Sequence, residues 1–322
     1  MILVTGAAGF IGSNIVSALN KKGLHKIIIC DWLDHISKNN NINKLSYEKL
    51  ITPESILEYL NKRNDIDLVI HMGANSSTTE TNFRLIYDIN TRFTKNLWKW
   101  CTKNNVRFIY ASSAATYGDG SRGFDDSDDK TYQPLNIYGL SKYLFDRYAI
   151  NQAKKNIHPP QWVGLKFFNV YGPNEYHKGN MQSVVKHALD QYNKIGKVKL
   201  FKSYNNQFKD GQQSRDFIYI NDCISLINWL IDNKKISGLF NCGTGIERTF
   251  EDLVKAMFTA INISPKIEYI EMPENIKNQY QYYTKAKMSK IKDKGYKIKA
   301  LTLEEGVYDY VTNYLLSKDK YK

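Results

Sequence analysis

The segment VTGAAGFIG, residues 4–12, sets Gly6, Gly9 and Gly12 at intervals of three between an apolar β-branched run (ILVTG, 2–6) and an amphipathic stretch at about 11–22. Few backbone geometries need three glycines at that point. A strand that turns directly into a helix does, because glycine permits the tight turn and removes Cβ atoms where a phosphate must approach the main chain. The helix N-terminus then offers unpaired N–H groups and a partial positive charge. Asp31 ends the next apolar run, KIIICD (26–31), 19 residues after Gly12. An acidic residue at that spacing accepts a hydrogen bond from a ribose hydroxyl. The segment therefore predicts a dinucleotide-binding strand–helix–strand unit.

The alternation continues. DLVIHMGA (67–74), RFIYASSAA (107–115) and WVGLKFFNVYG (162–172) read as further strands, with helical patterns at about 54–63, 83–104 and 138–154. Most of the strands are apolar on both faces, as in a buried parallel sheet. The expected fold is α/β, a Rossmann-type doubly wound parallel sheet. After residue 172 the pattern loosens into helices at 180–193, 222–233, 249–261 and 303–315, with short strands DFIYI (216–220) and KIEYIEM (266–272). This predicts a smaller, interleaved C-terminal α/β substrate lobe. Residues 1–168 with about 215–242 are expected to form the cofactor domain, and about 169–214 with 243–322 the substrate domain. Ligands should bind between them, at the carboxyl ends of the strands.

Charge narrows the partners. The 322 residues carry 45 Lys and Arg against 32 Asp and Glu, a net charge of +13. That balance suits nucleic acid, an anionic membrane or an anionic small substrate. The lysines are dispersed, and the densest tract, KAKMSKIKDKGYKIK (285–299), has no interleaved aromatic beyond Tyr296. It reads as a solvated helix face, and no nucleic-acid partner is expected. No apolar run approaches the roughly 18 residues that span a bilayer, and the first residues lack the basic region of a signal peptide. Cys30, Cys101, Cys223 and Cys242 are far apart and form no CxxC pair. The expectation is a cytoplasmic protein with no metal site and no membrane partner.

IYGLSK (137–142) puts Tyr138 and Lys142 one helical turn apart on one face. A tyrosine titrates near ~10. An ammonium beside it, together with the positive nicotinamide ring of a bound cofactor, stabilises the phenolate and makes Tyr138 a usable base near neutral pH. Ser113, in YASSAATYG (110–118), ends a strand on the face where ligand should lie, and its hydroxyl is placed to bridge Tyr138 and a substrate oxygen. Lys38 follows Asp31 in the same loop. Asp31 favours the free hydroxyl of NAD and Lys38 the 2′-phosphate of NADP, so the residues point both ways.

These motifs resemble the extended short-chain dehydrogenase/reductase family, which acts on nucleotide sugars, and the resemblance runs over nearly the whole chain. It implies an NAD(P) cofactor, a Ser-Tyr-Lys catalytic set and a C-terminal lobe for the sugar nucleotide. The 4,6-dehydratases of that family carry an Asp-Glu pair where this chain has Ala114-Ala115. Alanines move no protons, so dehydration is not expected.

HMGANSSTTE (71–80), IYGLSKYLFD (137–146), FFNVYGPNEYHKGNMQSVV (167–185), SRDFIYINDC (214–223) and NQYQYYTKA (278–286) together resemble one branch of the family, the ADP-heptose 6-epimerases. The branch implies epimerisation at carbon 6 of ADP-D-glycero-D-manno-heptose, for the lipopolysaccharide inner core, by a homo-oligomer, specifically a homopentamer. It makes Lys178 a second catalytic residue. A hydride is lent to the cofactor and returned to the opposite face of a ketone, so the oxygen occupies two positions that one acid/base group cannot both serve. It implies that Phe10, Ile11, Trp32, Lys38, Ala74, Asn75, Ser76, Asn90, Lys142 and Val170 contact cofactor. Ser113, Asn169, Lys178, Asn180, His187, Phe201, Arg215 and Tyr280 would hold substrate, with Arg215 suited to a bidentate grip on phosphate. For Asn180 and His187, helix capping and packing are the alternatives. Asp31 and Lys38 both match the branch, which favours NADP, with NAD possible.

Two segments depart from the branch. NKLSYEKL (43–50) lacks the Asp that often opens the adenine-contacting turn, and NNQFKDGQQSRD (205–216) is longer than expected. The second keeps open another nucleotide-sugar epimerase or reductase, such as a UDP-sugar 4-epimerase.

Overall fold

Seven parallel strands form the central sheet of the computed structural model, which describes residues 1–127, 131–277 and 281–322. In chain order they are β1 (Ile2–Thr5), β2 (Ile27–Cys30), β3 (Lys49–Ile51), β4 (Leu68–His71), β5 (Arg107–Ser113), β6 (Trp162–Phe167) and the strand Gly238–Cys242. Their order across the sheet is Gly238–Cys242, β6, β5, β4, β1, β2, β3. Thr5 at the end of β1 lies in register with Cys30 on one side and His71 on the other. The chain winds outward in both directions from β1 and β4, so a crevice opens at their carboxyl ends.

Both faces of the sheet are buried, which is why the strands read as unbroken apolar runs. Leu3, Ile28, Val69 and Phe108 pack on one side against Trp98, Phe145 and Trp162. Val4, Ile29, Ile70 and Ile109 pack on the other, against the helix Phe10–Lys21 and the C-terminal half of the chain. The expected doubly wound α/β fold is the observed one.

Outside the central sheet the C-terminal half of the chain forms short strand pairs. Asn169–Tyr171 runs parallel to Phe217–Tyr219, Val198–Phe201 parallel to Ile267–Ile270, and Ser214–Arg215 antiparallel to Arg248–Thr249. Two of its helices start with reciprocal caps. Thr249 and Asp252 close one and Thr302 and Glu305 the other, each satisfying two otherwise unpaired N–H groups.

Several elements differ from expectation. The stretch 162–172 is two strands, because the chain leaves the sheet after Phe167 to pair with Phe217–Tyr219. The helix expected over 83–104 contains a π-helical segment, Tyr87–Arg92. The helix expected at 180–193 starts at Val184, capped by Ser183. The strand β3, the helix Ile36–Ile42 and the seventh sheet strand Gly238–Cys242 were not legible as elements. Because Lys49–Ile51 is a strand, residues 43–48 lead into it, and the helix Pro53–Asn61 follows directly, with Thr52 at its N-cap. The lysine-rich tract is not a solvated helix face. Only Ser289–Asp293 is helical, and Ala286, Met288, Ile291 and Tyr296 are buried while the lysines between them mostly face outward.

Candidate active site

A cleft of about 690 Å³ opens at the carboxyl ends of β1, β4 and β5. The glycine turn forms its floor. Gly6 has φ +64°, and a Cβ there would lie 2.5 Å from the Gly73 nitrogen; a Cβ on Gly12 would lie 2.0 Å from the Gly6 carbonyl oxygen. Any side chain at either position collides with main chain. The helix Phe10–Lys21 begins at Gly9 with no side-chain cap and no acidic residue in its first turn. Its first N–H groups are therefore left for a ligand, as an anion site requires. This cradle fits a dinucleotide diphosphate.

Asp31 stands beside it, 7% exposed. Its Oδ2 accepts from the Ala8 N–H (2.9 Å), and its Oδ1 accepts from the Trp32 N–H (2.8 Å) and from Lys38 Nζ (3.2 Å). Lys38 also pairs with Asp34 at 2.9 Å. Burial works against the Lys38 charge, but Asp31 and Asp34 outweigh it and hold its pKa above the usual lysine range. The two residues that pointed to different cofactors thus form one ion pair.

At the other end, Ser113, Tyr138 and Lys142 line the cleft. Asn136 caps the helix Ile137–Lys154, accepting from the Gly139 N–H, which sets Tyr138 and Lys142 in its first turns. Lys142 is 4% exposed and donates to the Ala111 carbonyl at 3.0 Å. Burial lowers its pKa to about 8, with Asp146 pulling the other way. Burial raises the Tyr138 pKa, the Ser113 hydroxyl opposes it, and Asp146 adds to the rise. Burial thus opposes the phenolate that a neighbouring ammonium favours, and the Lys142 ammonium itself is turned to a carbonyl.

Behind these side chains lies a satisfied buried network. Asp146 Oδ2 accepts from Lys166 Nζ (2.7 Å) and the Ser112 hydroxyl (2.6 Å), and Oδ1 accepts from the Tyr110 hydroxyl (3.0 Å). Lys166 also donates to Thr116 at 2.7 Å. Every charge there has partners, as burial demands.

Lys178 enters from the short helical turn Tyr176–Met181. Its Nζ lies 5.5 Å from the centre of the Phe10 ring, and burial lowers its pKa while Glu175 opposes the shift. His177 lines the same wall and is held largely neutral, its pKa lowered to about 4 by burial and then by Lys38, Lys178 and His35.

The cleft brings together Gly6, Gly9, Phe10, Ile11, Gly12, Asp31, Trp32, Lys38, Ala74, Asn75, Ser76, Ser113, Tyr138, Lys142, Val170 and Lys178. Asn90 is not on its surface. It is fully buried in the π-helical segment, accepting from the Asn75 N–H (2.8 Å) and donating to the Asn75 carbonyl (2.9 Å) and Ser141 (3.0 Å). Its place is behind the wall, fixing the Asn75 turn. Of the described residues expected to hold substrate, only Ser113 and Lys178 line this cleft. Asn169 and Asn180 are exposed, and His187 faces the Asn180 carbonyl at 3.3 Å. Phe201 is half-buried at the end of its strand. Arg215 is 7% exposed, donates to the Ser214 carbonyl (2.9 Å) and lies 5.4 Å from the Phe250 ring centre, so its guanidinium is not presented to the cleft. Tyr280 falls outside the described residues.

Sequence reasoning missed Gly73, His177, and Pro53 and Glu54, all of which line the cleft. Gly73 was findable from the MGAN turn after β4. Pro53 and Glu54 were hidden by the unrecognised strand before them. Among the described residues no group of three or more His, Cys, Asp or Glu could hold a metal ion, and no helix is long and apolar enough to cross a membrane.

Residues 2–243 match the NAD dependent epimerase/dehydratase family. An ADP-L-glycero-D-manno-heptose-6-epimerase of Fusobacterium nucleatum is 46% identical, with all of both chains aligned. One from Nitratidesulfovibrio vulgaris is 43% identical, again over the whole of both. The crystal structure of the Helicobacter pylori ADP-L-glycero-D-manno-heptose-6-epimerase superposes with a TM-score of 0.80 at 29% identity, covering 97% of this chain and 95% of that one. A Thermus thermophilus UDP-glucose 4-epimerase in complex with NAD shares the fold, with a TM-score of 0.78 at 24% identity over 96% of this chain and 97% of its own. With this match, and with the glycine cradle and the Ser-Tyr-Lys set in one cleft, the chain belongs to the NAD dependent epimerase/dehydratase family.

Proposed function

We propose that the protein is an NADP-dependent epimerase acting at carbon 6 of ADP-D-glycero-D-manno-heptose. The observation that carries the reading is the meeting of two separate proton-bearing groups, Tyr138 from the helix Ile137–Lys154 and Lys178 from the turn Tyr176–Met181, in one cleft. The names and full-length coverage of the relatives support the substrate. Several structural neighbours are complexes with NAD, which supports a nicotinamide cofactor.

When bound, the nicotinamide supplies a reversible hydride sink, so that carbon 6 passes through a ketone. The residues of this chain manage everything else. Tyr138 and Lys178 sit on different elements, so each serves the oxygen in one of its two positions. Burial lowers the pKa of Lys178 and raises that of Tyr138. Inversion needs one group that takes a proton and one that gives it, and the two residues supply such a pair. Ser113 orients the oxygen beside Tyr138. Lys38 meets a 2′-phosphate, and its pairing with Asp31 offsets the repulsion a bare carboxylate would exert on it. The product is a lipopolysaccharide inner-core precursor, and the enzyme acts as a homo-oligomer in the cytoplasm.

The test is to incubate the protein with ADP-D-glycero-D-manno-heptose in D₂O and follow carbon 6 by NMR. Inversion without deuterium at that carbon is expected. Inversion with deuterium would replace hydride return by deprotonation chemistry. Turnover of UDP-galactose with none of the heptose would move the assignment to a 4-epimerase.

A further inference from the structure

Lys178 lies on a short irregular loop, and something must fix it over the cleft. Glu175, 1% exposed, begins that loop. Its Oε2 accepts from the Ser183 N–H (2.5 Å), and its Oε1 accepts from the Ser183 hydroxyl (2.6 Å) and the Tyr310 hydroxyl (2.8 Å). Three donors converge on it, an arrangement that suits an ionised carboxylate. Burial pushes its pKa up, and the Ser183 donors, Tyr310 and the Lys178 charge oppose that.

Each partner anchors a different element. Ser183 is the N-cap of the helix Val184–Ile195, where a negative charge is favoured. Tyr310, fully buried, ends the helix Leu303–Tyr310. The loop between the anchors is closed by small bonds: Lys178 N–H to the Glu175 carbonyl (3.0 Å), Gln182 N–H to the Gly179 carbonyl (3.1 Å) and the Gln182 amide to the Tyr176 carbonyl (2.8 Å). Gly179, directly after Lys178, has φ +52°, and a Cβ there would meet nothing within 4 Å. The outer side of the turn is open, so its shape depends on how its ends are held.

We propose that Glu175 is the positioning residue of Lys178, clamping both ends of the 175–183 loop to the Tyr310 helix so that the Lys178 Nζ stays over Phe10 in the cleft. This rests on the reading of Lys178 as the second acid/base group. Glu175 does not line the cleft. It acts through Lys178, and that sets its signature.

The experiment is a double-mutant cycle on kcat for carbon-6 inversion, using Glu175→Gln, Lys178→Met and the double variant, with melting temperature and NADP⁺ affinity measured alongside. Displacing a reacting group by about 1 Å costs roughly 100-fold, so Glu175→Gln should lose about that much in kcat while holding NADP⁺ as tightly as the parent. In the Lys178→Met background the same change should cost nothing further. Tyr310→Phe, which keeps the carboxylate and removes one donor, should lower kcat less and be equally silent without Lys178. It carries the cycle if Glu175→Gln does not fold. Losses that multiply in the double variant overturn the positioning role, as does full activity in Glu175→Gln. A fully active Lys178→Met sinks the Lys178 reading itself, which is a separate outcome from a multiplicative cycle on an impaired Lys178→Met.

Discussion

The side-chain amide of Asn41 donates to the main-chain carbonyl of Asn174 at 3.0 Å, and to the Ala8 carbonyl at 2.9 Å. Ala8 lies in the glycine turn and Asn174 one residue before Glu175, so a single buried amide ties the cradle to the loop that carries Lys178. Asn14 repeats the device, donating to the Phe10 and Pro173 carbonyls. Asn41→Ala leaves two buried carbonyls without donors, at a cost of about 1–3 kcal/mol. Thermal denaturation should show that loss, and hydrogen exchange should rise in residues 174–183 ahead of the sheet.

Tyr138→Phe and Lys178→Met should each lower kcat by about 10²–10⁴-fold while ADP-heptose binding, followed calorimetrically, changes little. Loss of binding in place of turnover would mark either residue as a substrate anchor.

Lys142 supplies a pH signature of its own. Its folded pKa, about 8, lies below the 10.5 of an unfolded lysine. The unfolded chain therefore binds more protons between those values. The penalty for burying the ammonium is fully present below pH 8 and relieved as pH rises toward 10.5. The stability of Lys142→Met relative to the parent should accordingly fall between pH 7 and pH 10.5, by up to about 3 kcal/mol. Denaturant titrations of both proteins at the two pH values measure it. A constant difference would mean the lysine is not desolvated.

Lys38→Ala should weaken NADP⁺ binding by about 10- to 100-fold, the loss of a charge-assisted contact, and leave NAD⁺ binding nearly unchanged. Equal losses for both cofactors would mean that Lys38 matters only through Asp31.

Gly12→Ala drives a Cβ into the Gly6 carbonyl and should cost about 2–3 kcal/mol together with cofactor affinity. Gly23→Ala is the control. That residue also has a positive φ, +76°, but a Cβ there meets nothing within 4 Å, so only about 1 kcal/mol of backbone strain is expected.

The parts of the molecule that were legible in the sequence are those whose physics is local. Gly6 and Gly12 announce a turn with no room, and the runs around Val4, Ile29 and Ile70 announce strands buried on both faces. Tyr138 and Lys142 announce one side of a helix. What was not legible depends on distant partners. Lys49–Ile51 is too short and too exposed on its own to look like a strand, and it is one because β2 pairs with it. Lys285 to Lys299 looks like a charged helix until Thr284, Ala286 and Met288 are seen to turn inward from an extended chain. Asn90 was expected to contact cofactor together with the Asn75 turn, yet both ends of its amide are spent on Asn75 and Ser141. Arg215 was read for its charge, and its burial against Phe250 could only come from the fold.

The helix behind the glycine turn starts with no side chain of its own to cap it, which suits its first N–H groups to an anion. On the proposed chemistry the hydride goes out and comes back, so a full turnover leaves the redox state where it began. Nothing in such a cycle requires the cofactor to leave. On that chemistry the molecule that caps the helix is expected to act less like a second substrate than like a prosthetic part, carried from one turnover to the next.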